Sequence, residues 1–127
     1  NSGVNHAPVE AALIAKEKKI KTISLTSVKY SKKAPLSKLN KRLFEITDIF
    51  IDNKIPPGDA IINIKNKMVG PASTITGSFI LNSILIEAGN ILKNEKLFPF
   101  YISVNMPNAK KNNDKLEKKF RKINPHL

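Results

Sequence analysis

Asn1-Ser2-Gly3-Val4-Asn5 is the stretch of this sequence whose residue types best suit holding a ligand. Ser2 offers a hydroxyl, Gly3 permits close approach of the backbone, and the segment runs into a helix that the sequence predicts from His6. A helix N-terminus presents free N–H groups and the positive end of the macrodipole, so a small-residue loop leading into one suits a phosphate. The same residues also make an ordinary strand-to-helix turn with Asn5 as N-cap, and from the tripeptide alone that is the simpler reading. Proton transfer to or from carbon needs a positioned base, and Glu10, Glu87 and His6 are the candidates. Glu87 lies within a long apolar segment, the setting in which burial turns a carboxyl into an acid–base group. For each of the three, a side chain satisfied by a neighbour or by solvent is the simpler account. His126 reads as an exposed residue near the terminus, and Asp59 either faces a crevice or caps the turn at Gly58. No spacing of His, Asp and Glu suggests a metal site, and no cofactor is expected.

Those residues need elements to position them. Residues 6–21 read as a helix, with Pro8 in its first turn, where a missing N–H costs little. Val9, Ala12, Leu13 and Ile20 supply an apolar stripe, and Lys16, Lys18, Lys19 and Lys21 sit at its end, favourably for the dipole. Thr22–Ser27 is a β-prone run, residues 28–38 read as a loop, and Asn40–Thr47 has room for about two helical turns. Asp48–Asp52 predicts a second strand ended by Asn53, Ile55–Asp59 a loop, and Ala60–Ile64 a third strand. The strongest helix spans residues 71–93, with Pro71 at its start and Ser73 and Thr74 in its first turn. Its apolar residues cover most of its circumference, which predicts a helix buried in a core or at a subunit interface. A membrane span is the competing reading; Asn82, Glu87, Asn90 and five Ser/Thr argue against it. Residues 98–105 read as a last extended segment and 114–123 as a charged helix. Alternation of this kind predicts an α/β layer fold with a largely parallel sheet, DIFID central and parallel to TISLTS.

At 127 residues the chain has the length of one domain, and starting on turn-type residues rather than Met it is expected to be a fragment. It has no cysteine, which excludes disulfides and fits a reducing compartment such as the cytoplasm. The formal charge of +12 by itself suggests an anionic partner. Of the 22 basic residues, however, only Arg42 and Arg121 are arginine. Bidentate and stacking contacts to nucleic acid favour Arg, so a lysine-coated, solvated surface is the better reading and nucleic acid an unfavoured partner.

The stretch NSGVNHAPVEAALIAKEKKIKTISLTS resembles the sugar isomerase (SIS) pattern of a Ser-Gly loop, a helix, and a strand ending in a second Ser/Thr. DIFIDNKIPPGDA followed by VGPASTITG, and the ending INPHL, resemble a small group of SIS-domain proteins. The resemblance covers nearly all of the chain, and its Pro-Pro-Gly-Asp-Ala and Gly-Pro-Ala-Ser-Thr combination is the specific part. It implies an αβα sandwich that binds a sugar phosphate, as a homo-oligomer, with this chain forming the C-terminal part of one domain. It assigns phosphate to Ser2, Gly3 and Asn5, a second hydroxyl cluster to Thr26 and Ser27, and a place on the same crevice to Gly70, Ser73 and Thr74. For the last three, helix capping is an equal account. The loop at residues 28–43 departs from the group in having no His. The expected function is an isomerase-like phosphosugar-binding protein; a non-catalytic phosphosugar sensor is the alternative, and a basic nucleic-acid-binding protein a weaker one.

Overall fold

The parallel pairing of the two short apolar runs organises the first part of this computed structural model, which describes residues 1–126. The chain divides into two compact units, Asn1–Ile80 and a second from Leu81 onward. Together they make a mixed α/β protein with one parallel strand pair and one antiparallel hairpin.

The first unit opens with α1, His6–Glu17. The helix ends three residues before the apolar stripe does, because Lys19 takes a left-handed conformation (φ 56°). Ile20 N–H then bonds Ala15 O at 2.8 Å and Lys19 N–H bonds Lys16 O at 3.0 Å. That crossed pair closes a helix end in the manner usually associated with glycine, so no stop signal is visible among these residues. Strand β1, Ile23–Thr26, pairs in parallel with β2, Ile49–Asp52, from Ile23 opposite Ile49 to Thr26 opposite Asp52. The strand starts are fastened by Asp48, whose carboxylate accepts from Lys21 Nζ (3.0 Å), Thr22 N–H (2.9 Å) and the Thr22 hydroxyl (3.0 Å).

Between the strands lie α2, Val28–Lys33, and α3, Leu43–Ile46. Residues 28–33 are therefore not loop, as their sequence suggested. Ser27 accepts the Tyr30 N–H at 3.1 Å and Asp52 the Val28 N–H at 3.1 Å, so both ends of the strand pair cap this short helix. It stops at Ala34, the residue before Pro35. Six residues are too few to display helical periodicity. One face of the pair carries Ser24 and Thr26, both buried, with α3 packed on β1 and α1 packed on α3; Val4, Val9 and Ala12 are buried as well. The other carries Ile23, Leu25, Ile49 and Ile51, and Ile23 and Ile49 remain exposed.

Strands β3, Ala60–Ile64, and β4, Lys67–Pro71, form a hairpin. Its two-residue turn, Lys65-Asn66, has both φ angles positive (48° and 62°), the geometry that matches the twist of paired strands. The residue pattern predicts only β3 and places Pro71 in the following helix. Pro71 instead ends β4 opposite Ala60, a position at a strand end that tolerates a missing N–H. Helix α4 then runs from Ser73 to Leu92. The expectation that it is largely buried is not met within this chain: Ile75, Phe79, Ile86 and Ile91 are exposed, and Gly89 is the buried position on it. The helix is long and apolar enough to cross a membrane, with mean hydropathy 1.4.

In the second unit Phe98 and Phe100 stack at 4.8 Å between ring centroids and pack against Gly89. Residues 98–105 do not join a sheet. Asn113 takes the place of a strand partner, accepting from Ile102 N–H at 2.9 Å and donating to Ile102 O at 2.8 Å. Helix α5, Ala109–Phe120, starts ahead of the predicted 114 and buries Ala109 and Leu116.

Candidate functional site

The residues singled out at the head of the sequence meet at the carboxyl ends of β1 and β2. Asn1 is the hub. Its carbonyl accepts both the Ser27 N–H (3.0 Å) and the Thr26 hydroxyl (2.5 Å), and its side-chain Oδ1 accepts from Asn53 Nδ2 (2.8 Å). Two residues on, the Gly3 carbonyl accepts the Leu43 N–H at 2.7 Å. In a trans peptide the C=O and the following N–H point in opposite directions. With the carbonyls of Asn1 and Gly3 turned in towards β1 and α3, the N–H groups of Ser2 and Val4 turn away from them. Gly3 makes that turn with φ 64°, lying so close to Thr26 that a side chain would meet its hydroxyl.

The loop delivers the chain to α1 with its first turn open. Asn5 occupies the N-cap position without a side-chain bond to the helix, and no acidic residue lies in the first turn. The N–H groups of His6 and Ala7 lie in that turn, where an α-helix supplies no acceptor of its own. What converges here is therefore hydrogen-bond donors and a helix dipole, the chemistry of holding an anion.

Of the residues expected at the site, Ser2, Gly3, Asn5, Thr26 and Ser27 are brought together. Ser2 and Asn5 have accessible surface, whereas Thr26 and Ser27 are fully buried. The Ser27 hydroxyl donates to Ile55 O at 2.6 Å while accepting from Tyr30 N–H. Ser73 and Thr74 belong to a second helix start, organised around Asp59. The Asp59 carboxylate accepts the Ser73 N–H at 2.9 Å and the Ser73 hydroxyl at 2.6 Å, and its carbonyl accepts the Ala72 N–H at 3.1 Å. Asp59 is thus the cap of α4, and the two most distinctive motifs of the sequence, PPGDA and GPAST, are one folded device.

Glu10 is exposed on α1, 3.9 Å from His6 Nε2. Glu87 is exposed on α4, without the apolar burial on which its candidacy rested. No group of three or more His, Cys, Asp or Glu positioned for a metal occurs among the described residues. Arg42 donates to the carbonyls of Ser31 and Ala34 at the end of α2, so its guanidinium is engaged inside the fold.

Sequence reasoning passed over three residues here. Asn53 presents itself in the sequence as a strand terminator; its signal is its place one residue past β2, matching that of Ser27 past β1. Asp52 bridges Val28 N–H and Lys54, and the hydrogen bond from the Lys54 ammonium (2.8 Å) leads the interactions holding its carboxyl below the usual range, against a desolvation that raises it. Ser31 is fully buried, its Oγ without a hydrogen-bond partner among the described residues, close to the space a Gly3 side chain would fill.

The chain is similar to UPF0309 proteins of Brucella canis and Brucella abortus, at 41% identity over 129 residues, and of Brucella anthropi, at 40%. The alignments cover 100% of this chain and 52% of each relative. The chain therefore spans about half the length of the curated relatives it matches. No family model matches it.

Proposed function

We propose that this chain contributes to a phosphosugar-binding domain of the SIS type, in which the Ser2–Asn5 loop and the first turn of α1 receive the phosphate. The observation that carries the reading is the uncapped N-terminus of α1 at the carboxyl end of a parallel strand pair, reached through a loop whose carbonyls face inward. Ligands of open parallel α/β sheets bind at that edge. An αβα sandwich is supported by α3 on the Ser24–Thr26 face of the pair, with α1 packed on α3. On the opposite face, Gly77 of α4 lies against Leu25. The apolar surface of α4 favours burial against protein, whether another segment or a second copy in a homo-oligomer. Its polar residues weigh against a membrane, in keeping with a cytoplasmic domain.

Binding is better supported than catalysis. Hydrogen-bond donors gather at the loop, while Glu10 and Glu87 are both exposed. A phosphosugar sensor thus stands beside an isomerase as the protein's role, and conversion of candidate sugar phosphates by the complete protein separates them. For binding itself, the test is titration with hexose and amino-sugar phosphates. Ser2→Ala is expected to lower affinity by about 1.5–3 kcal/mol, the range for a hydrogen bond to a charged group. Lys119→Ala, on the solvated lysine surface of α5, is expected to change it little. A larger loss from Lys119→Ala than from Ser2→Ala overturns the assignment.

A further inference from the structure

We infer that Thr26 and Asn53 form a two-point clamp on Asn1 that positions the Ser2–Asn5 loop, governing ligand affinity without touching the ligand. The inference rests on the reading of that loop as an anion site. Thr26 is 0% exposed and its hydroxyl donates to the Asn1 carbonyl at 2.5 Å. A hydroxyl has one hydrogen to give, so Thr26 has none left for a phosphate. Gly3 walls it in: a Cβ at that position would stand 2.6 Å from Thr26 Oγ1. Asn53 holds the other end of Asn1, donating Nδ2 to Asn1 Oδ1 at 2.8 Å. Its own Oδ1 accepts the Ile55 N–H at 3.3 Å, which fixes which way the amide faces. Its N–H meanwhile bonds Thr26 O at 3.1 Å, so the two clamp residues are neighbours across the β1–β2 ladder.

The consequence for function lies in preorganisation. With Asn1 held at both carbonyl and side chain, the peptide that carries the Ser2 N–H cannot rotate, and its donor stays directed away from β1. A loop freed from the clamp must be ordered by the ligand itself, which lowers affinity. Thr26 and Asn53 are positioning residues on this account, and Ser27 assists them through its N–H.

The test compares wild type, Thr26→Val, Thr26→Ser and Asn53→Leu as isotope-labelled protein, titrated with inorganic phosphate and with a hexose 6-phosphate. The amide signals of His6 and Ala7 report binding. Thr26→Val and Asn53→Leu are each expected to weaken binding about tenfold, and Thr26→Ser by less than about twofold, because it keeps the hydroxyl. The combined variant is expected to be little worse than either alone, since both cut the same clamp. Amide exchange of Ser27 without ligand is the deciding readout. The clamp predicts that Thr26→Val speeds it about tenfold while Thr26→Ser does not. A Thr26 that acts by touching the ligand leaves ligand-free exchange unchanged, and that result overturns the inference. So does wild-type affinity in Thr26→Val. If wild type binds neither phosphate, the anion reading fails, and Ser27 exchange still shows whether the clamp exists.

Discussion

Replacing Gly3 by alanine tests how tightly the loop is built against the end of β1. Gly3 has φ 64°, and an added Cβ would lie 2.6 Å from Thr26 Oγ1, 3.3 Å from Leu43 Cβ and 3.4 Å from Ser31 Oγ. The left-handed conformation costs an L-residue about 1–2 kcal/mol. Forcing a methyl group into filled space costs a further ~1–3 kcal/mol, because Thr26 cannot retreat without losing Asn1. A destabilisation of about 2–5 kcal/mol is a large share of the 5–15 kcal/mol by which a domain of this kind is stable. Two other glycines separate the contributions. Gly58 has φ 91° with nothing within 4 Å of its added Cβ, so Gly58→Ala carries backbone strain alone, about 1–2 kcal/mol. Gly77 is helical, with Leu25 Cδ2 at 3.7 Å, an ordinary contact. Gly77→Ala is therefore expected to stabilise by about 0.5–1 kcal/mol. Urea unfolding of the three variants, followed by circular dichroism, gives the comparison. If Gly3→Ala loses no more than Gly58→Ala within about 0.5 kcal/mol, the close packing of the loop on Thr26 is refuted.

Two further outcomes follow from the helix and strand starts. Asp59→Ala removes the cap of α4 and is expected to cost about 0.5–2 kcal/mol in unfolding measurements, whereas Asp59→Asn, which keeps an acceptor and tolerates the positive φ at this position, is expected to cost less. The hydrogen bond from the Lys21 ammonium, followed by those from Thr22, holds the Asp48 carboxyl down from 3.8 to about 2. A carboxyl depressed on folding adds stability that is complete above 3.8 and is lost as pH falls through about 2. Asp48→Asn is accordingly expected to flatten that part of the acid-unfolding profile, and carboxyl NMR of wild type to show the low titration directly.

What the sequence determined by itself was local. A Ser-Gly turn entering a helix at His6, two short apolar runs with a helical segment before the second, and a long apolar helix are patterns of neighbouring residues, and each appears where those residues stand. The parallel sense of β1 and β2 also followed, because an intervening helical crossover brings the chain back to start its second strand beside the first. Tertiary structure decided the ends and the partners. Lys19 closes α1 in a conformation its side chain does not advertise, and the Lys65-Asn66 turn folds KMVGP back on AIINI, taking Pro71 from the helix. Asp59 reaches 14 residues along the chain to cap α4. Asn1 is held by Thr26, 25 residues away, and by Asn53, 52 residues away. None of these pairings has a period or a spacing to detect, because a hydrogen bond between distant residues is set by which strand ends lie side by side once the sheet has formed. The candidate site was therefore legible as a small-residue loop entering a helix with Thr26 named beside it, whereas the bond of Thr26 to Asn1 and the part of Asn53 were not.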